Sequence, residues 1–226
     1  MAVVPTSPVL PRRDDEARAR LRAVAARARP FVAAGDRLLP VTGRIGELLP
    51  AGGLQRGSTI SVDGSPGSGS TTVALTLAAA ATGAGEWAAV VDPARSQLPR
   101  SQLRGTLGAR AAMAAGVELE RLAVVQRVAP DRWAAVVAAL LDGITVVVAA
   151  VPAHLRPGDA RRLVARARER KAVLVAFGSW PVEAAVRIHT GRCTWSGLGA
   201  GTGLLDTPDL QIDVEGKGTR KLARAG

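Results

Sequence analysis

From residue 58 onward, short runs of apolar residues alternate with stretches whose apolar residues recur at helical spacing. Runs that are apolar throughout are typical of strands buried on both faces, and their alternation with helices favours a parallel sheet covered on both sides. The right-handed crossover rule then favours a doubly wound arrangement. The sequence therefore predicts an α/β fold with a mostly parallel sheet. The predicted strands are 58–63, 87–92, 122–126, 144–150 and 172–177.

Helical patterns fill the intervals between these runs. Small residues dominate 71–82, a weaker helical tendency covers 100–115, and arginine is frequent in 158–170. The clearest amphipathic pattern has apolar residues at i, i+3, i+4, i+7 and i+8. Its members are Trp133, Val136, Val137, Leu140 and Leu141.

The two ends of the chain differ from this central pattern. Residues 1–40 are predicted to be a flexible tail followed by a basic helix, and 217–226 a basic tail. The core is placed at 41–216. Within it, 185–196 and 209–216 read as longer, half-exposed strands, which we expect to add to the sheet edge as an antiparallel pair.

Composition limits the compartment and the partners. The formal net charge of +11 favours contact with polyanions such as nucleic acid, although a high arginine content alone produces the same charge. The single cysteine, Cys193, excludes an internal disulfide and indicates a reducing compartment. Without a signal-peptide pattern or an apolar stretch long enough to span a membrane, a cytoplasmic protein is expected.

A glycine- and serine-rich loop lies between the first of these strands and the helix that follows it, which is the context required of a phosphate-binding loop. Glycines allow successive backbone N–H groups to point inward, and the helix N-terminus adds partial positive charge. The pattern G-x-x-x-x-G-K-[ST] is complete except for its lysine. The loop comprises Gly64, Ser65, Pro66, Gly67, Ser68, Gly69, Ser70, Thr71 and Thr72.

Serine at position 70 removes the ammonium group that would stabilise a transferring phosphoryl group. Ala149 and Ala150 stand at the end of the predicted strand 144–150, where a magnesium-binding aspartate would be expected. Arg56 is a candidate to replace the missing charge from nearby. The sequence predicts a vestigial loop with negligible hydrolysis, no catalytic residues and no cofactor beyond weak residual nucleotide binding.

The loop and its surroundings resemble the RecA/RadA core. The resemblance rests on Thr42–Pro50, on the Gly-Gly-Leu-x-x-Gly segment Gly52–Gly57, and on the loop that follows, and it covers roughly 40 to 180. It implies a RecA-like fold and places the catalytic glutamate of that family at Ala94. Within the superfamily, Trp195–Gly199 and Val214–Gly218 resemble the C-terminal segment of ImuA-type proteins, specifically the actinobacterial ImuA-prime group.

This resemblance implies a non-catalytic adaptor in DNA-damage-induced (SOS) translesion synthesis and mutagenesis. Its implied partner is an ImuB-like homologue of the Y-family polymerases, and through that partner an error-prone C-family DNA polymerase. Two alternatives stay open: an ATP-dependent, DNA-binding RecA relative, and a SulA-like inhibitor of cell division.

Several residues outside the loop are candidates for contact with a partner or DNA. Each has a structural alternative. For the charged residues it is a solvated helix face or a charged tail, and for the tryptophans it is packing at the sheet edge. They are Trp180, Trp195, Arg161, Arg162, Arg166, Lys217 and Arg220. The two histidines, His154 and His189, have no cysteine or carboxylate cluster near them in the sequence, so neither a metal site nor a catalytic triad is expected.

Overall fold

The computed structural model describes residues 37–93, 108–194, 209–216 and 219–225, and the predicted N-terminal tail and basic helix lie outside this part. The strands are β1 (Leu38–Pro40), β2 (Gly53–Gln55), β3 (Thr59–Gly64), β4 (Ala88–Pro93), β5 (Leu122–Val128), β6 (Val146–Ala150), β7 (Val173–Phe177), β8 (Val186–Thr194), β9 (Asp209–Gly216) and β10 (Thr219–Ala225). The helices are α1 (Gly43–Leu48), α2 (Ser70–Thr82), α3 (Ala109–Ala114), α4 (Pro130–Leu141) and α5 (Pro157–Arg170).

Eight strands form one sheet in the order β10-β9-β8-β3-β7-β6-β4-β5, and β1 pairs with β2 in a separate ribbon. All strands from β8 to β5 run parallel, whereas β9 and β10 are antiparallel to their neighbours. The predicted α/β fold with a mostly parallel sheet is therefore confirmed. Strand β3 lies inside the sheet between β7 and β8, so the carboxyl end of β3 is flanked by structure on both sides.

Helices cover both faces of the parallel part, because each central strand presents apolar side chains in both directions. On one face, α2 packs over Val62, Val146 and Val175. Its alanines allow the helix to approach the sheet closely. On the other face, Trp133 of α4 and Leu163 of α5 pack over the sheet. The amphipathic pattern predicted from Trp133 is confirmed, since Trp133 is fully buried.

The expected antiparallel pair at the sheet edge is confirmed, since β8 and β9 pair antiparallel to each other. Strand β8 joins this pair to the sheet by pairing in parallel with β3. The prediction of a basic tail at 217–226 was wrong for most of that segment, because Thr219–Ala225 forms β10 and pairs with β9. Alternating apolar residues in β9 bury one face of this extension, and β10 continues it. The weakly predicted helix at 100–115 is limited to α3, since 94–107 lies outside the described residues.

Within the described ranges, no helix is both long enough and apolar enough to cross a membrane.

Candidate functional site

The Gly/Ser loop connects the carboxyl end of β3 to the first residue of α2, as the sequence predicted. Gly67 and Gly69 have φ values of +82° and +84°, a region that other L-residues rarely adopt. Gly69 is the N-cap of α2, so the backbone N–H groups of the first turn are free of partners inside the helix. The loop therefore combines glycine-dependent curvature with the positive end of a helix dipole.

A buried hydrogen-bond network ties the loop to the neighbouring strand β8. The hydroxyl oxygens of Ser68 and Thr190 lie 2.6 Å apart, and Thr190 also donates to the carbonyl oxygen of Asp63 at 3.1 Å. Gly64 lies against this network, because a Cβ added there would stand 2.0 Å from the Thr190 hydroxyl. The first glycine of the loop is thus required by contact with β8.

A cleft of about 370 Å³ opens beside the loop. Loop residues form one wall, and the apolar side chains of Phe177, Cys193 and Leu210 contribute to the rest. Leu210 lies close against the loop, since a Cβ added to Gly69 would lie 2.3 Å from its Cδ2 atom. Together these residues give the cleft one wall of backbone amides and small hydroxyls and one apolar wall.

No lysine or arginine is among the described residues that line this cleft, and Asp63 is the single carboxylate among them. The Oδ1 atom of Asp63 lies 2.5 Å from Nδ1 of His189 on β8. The two residues are far apart in the sequence, and the parallel pairing of β3 with β8 brings their side chains together. Both side chains are exposed, and the Asp63 carboxylate contacts His189 in this structure.

An ion pair between Arg220 and Asp213 lies on the strands next to His189. Arg220 on β10 donates to Asp213 on β9 through Nε and Nη2, at 3.1 and 2.5 Å from Oδ2. These hydrogen bonds hold the pKa of the Asp213 carboxyl below its ordinary value of 3.8. Arg220, a predicted contact residue, thus forms an ion pair within the sheet extension.

Arg56 does not replace the missing lysine. Its guanidinium pairs with Glu86, and Thr145 donates to the same carboxylate at 2.5 Å. These three residues precede β3, β4 and β6 respectively, so they lie at the amino ends of the parallel strands. The loop lies at the opposite end of β3, about 20 Å away for a strand of this length. The arginine bonds also hold the pKa of Glu86 below its usual value.

The positions expected to lack catalytic carboxylates are apolar in the structure. Ala149 and Ala150 end β6 and are buried, with Ala149 packed in the cluster beneath α4 and α5. β7 separates β6 from the loop-bearing strand β3. Ala94 lies outside the described residues.

The remaining predicted contact residues separate into different environments. Trp180 is only 7% exposed and packs in the cluster beneath α4 and α5, which agrees with the packing alternative. Arg166 pairs with Asp142 and Arg162 with Asp159, whereas Arg161 is exposed. Trp195 and Lys217 lie outside the described residues.

Sequence reasoning missed three residues that shape the cleft, namely Thr190, Cys193 and Leu210. They lie on β8 and β9, more than a hundred residues after the loop in the sequence. Half-exposed alternation predicted those strands, but only the strand order brings them beside the loop. One signal in the sequence was available. Thr190 is a polar residue two positions after the core-facing Ile188, and a polar side chain at such a position indicates a buried hydrogen bond.

Comparison with protein families assigns most of this framework. A family model described as the MT3502 N-terminal domain matches residues 47–182. The chain belongs to this family. The MT3502 N-terminal domain thus includes β3, the loop and α2, whereas β8, β9 and β10 follow the matched region. No curated protein matches the chain.

Proposed function

We propose that this chain is a RecA-like adaptor that does not hydrolyse nucleotides. The supporting observation is the chemistry of the cleft, where backbone amides and hydroxyls surround the loop without a lysine or arginine among the described lining residues. Phosphoryl transfer spreads negative charge that a cation and a metal ion must stabilise. Backbone N–H groups can hold an anion, but alone they do not supply that stabilisation.

The strand arrangement supports the RecA-like part of the proposal. A phosphate-loop strand lies within a parallel sheet, its helix crosses one face, and α4 and α5 cover the other. The sheet is extended by antiparallel strands at one end only, as the half-exposed pattern of 185–196 and 209–216 indicated. Ser70 at the start of α2 and Ala149 at the end of β6 occupy positions where catalysis needs charged groups.

For its biological role, we propose an adaptor in DNA-damage-induced translesion synthesis that binds an ImuB-like polymerase homologue through its C-terminal segment. That segment carries an exposed apolar residue, Leu222 on β10, whose side chain is 67% exposed. A large apolar side chain in a polar surround is a suitable anchor for a partner. The neighbouring residues Arg220 and Lys221 provide a polar rim.

Co-purification of the full chain with the ImuB-like protein tests this role. We expect Leu222→Asp to reduce recovery of the partner at least tenfold. Met113→Asp is the matched control, because Met113 is 61% exposed but lies on α3, outside the C-terminal segment. Failure of the unaltered chain to retain the partner contradicts the proposed role, and equal losses in both variants contradict the proposed surface.

A further inference from the structure

Helix α5 carries many arginines, and the structure divides them into two groups. Its core-facing residues are Ala160, Leu163 and Ala167, which are at most 2% exposed. The arginines surround this apolar stripe on its remaining sides. They are Arg161, Arg162, Arg166, Arg168 and Arg170.

The first group fixes α5 to its surroundings. Arg166 donates to Asp142 through two parallel bonds of 2.6 and 2.7 Å, and Nε of Arg170 lies 3.2 Å from the same carboxylate. Asp142 is the C-cap of α4, so these bonds join the two helices. Arg162 pairs with Asp159 one turn earlier at 3.1 Å. The hydrogen bonds from Arg166 hold the pKa of Asp142 below its ordinary value.

The second group comprises Arg161 and Arg168, which are exposed and form no ion pair or hydrogen bond with the described residues. They are seven residues apart, which is two helical turns, so their side chains leave the same side of α5 about 10 Å apart. Asp142, Asp159 and Glu169 all lie beside other arginines. Thus no carboxylate in the described part of the chain neutralises Arg161 and Arg168, and these two residues are called here the α5 stripe.

We infer that the α5 stripe binds the phosphate backbone of nucleic acid. A free guanidinium presents several N–H donors in a planar fork that matches phosphate oxygens, and an unpaired one need not break an internal bond to do so. The net charge of +11 adds long-range attraction for a polyanion. A membrane surface fits less well, because the residue between these arginines on the exposed side is Ala165, which offers no apolar anchor. This surface is separate from the cleft and from the proposed partner surface at Leu222.

Phosphate contacts have a measurable signature in the salt dependence of binding. Each contact to duplex DNA contributes about 0.9 to the slope of log affinity against log salt concentration, and each contact to a single strand about 0.7. Removal of one contact also weakens duplex binding roughly fivefold at 0.15 M salt. Losing both arginines is therefore expected to lower the duplex slope by about 1.8.

The test is fluorescence anisotropy of labelled duplex and single-stranded DNA with the full chain, titrated at salt concentrations between about 50 and 200 mM. The variants are Arg161→Gln, Arg168→Gln and the double substitution. Arg110→Gln is the matched control, because it removes the same charge from an exposed arginine on α3, which packs on the opposite face of the sheet. Thermal unfolding of each variant confirms that the fold is retained.

We expect each α5-stripe substitution to lower the slope by one contact and the control to leave it unchanged. Tighter binding of the unaltered chain to duplex than to single-stranded DNA at the same salt concentration identifies duplex DNA as the preferred ligand. Three results overturn the inference: no binding of either nucleic acid by the unaltered chain, equal losses in the control and stripe variants, or binding to anionic vesicles or an acidic peptide that exceeds binding to DNA.

Discussion

Replacing Gly64 with alanine tests whether β8 fixes the shape of the loop. The added Cβ would lie 2.0 Å from the Thr190 hydroxyl, 2.4 Å from the Ser68 hydroxyl and 2.7 Å from the Thr190 carbonyl oxygen. All three distances are far below van der Waals contact, so the substitution must displace the loop or β8.

The expected cost follows from two contributions. Overpacking of a filled site costs about 1–3 kcal/mol. Loss of the buried hydrogen bond between Ser68 and Thr190 adds roughly 0.5–1.5 kcal/mol. We therefore expect Gly64→Ala to lower the free energy of unfolding by about 2–4 kcal/mol, measured by urea denaturation with the m-value unchanged.

A double-mutant cycle separates this steric effect from general damage. Thr190→Ala removes the hydroxyl nearest to the new methyl group, so Gly64→Ala should cost about 1 kcal/mol less in that background. Gly67→Ala is the control, because Gly67 has no atom within 4 Å of its Cβ position and its cost of about 1–2 kcal/mol comes from backbone conformation alone. A Gly64→Ala cost below about 0.5 kcal/mol, or strict additivity with Thr190→Ala, would refute the reasoning.

Three further predictions concern the framework around the site. Trp133→Ala should lower the free energy of unfolding by about 3–5 kcal/mol in chemical denaturation, since this side chain is fully buried in the α4–α5 cluster; a loss under about 1 kcal/mol would contradict its packing. The hydrogen bonds from Arg166 lower the pKa of the Asp142 carboxyl in the folded chain, so this pairing stabilises the fold above the ordinary pKa of 3.8, and the stabilisation is lost as pH falls through the folded pKa. The difference in unfolding free energy between the unaltered chain and Asp142→Asn should therefore vanish in acid. A difference that persists or grows in acid would exclude this linkage. Glu86→Gln should lower the free energy of unfolding by about 1 kcal/mol, because it removes the charge-assisted hydrogen bonds from Arg56. Anion binding at the loop, measured by calorimetry, should stay unchanged. Altered anion binding would place Arg56 closer to the loop than the structure does.

Local patterns in the sequence were sufficient to predict the parallel part of the fold. The uninterrupted apolar run at Val146–Ala150 predicts a strand buried on both faces, and the helical spacing around Trp133 predicts a helix with one buried face. Both patterns involve only residues that are close together in the sequence. The position of the loop was also predictable, because the glycines that adopt positive φ and the start of the following helix lie within a few residues of one another. Strand ends shifted by one or two residues, since the last residues of a strand are set by pairing partners.

Long-range pairing explains what the sequence did not predict. The proximity of His189 to Asp63 depends on a parallel match between β3 and β8, which lie over a hundred residues apart. Arg56 is close to the loop in the sequence, but it precedes β3 and therefore lies at the end of the strand opposite the loop. Its closeness in the sequence wrongly suggested that it could reach the loop. The burial of Trp180 and the formation of β10 likewise result from tertiary packing, which composition does not reveal.

The proposed absence of nucleotide hydrolysis rests on Ser70, which stands in the loop where a lysine would be needed. The most direct measurement is the release of inorganic phosphate from ATP and magnesium by the purified full chain, with and without single-stranded DNA. We predict a rate equal to that of a Gly69→Asp control, in which the loop is blocked. DNA-stimulated phosphate release that exceeds this control and disappears with the blocked loop would contradict the account.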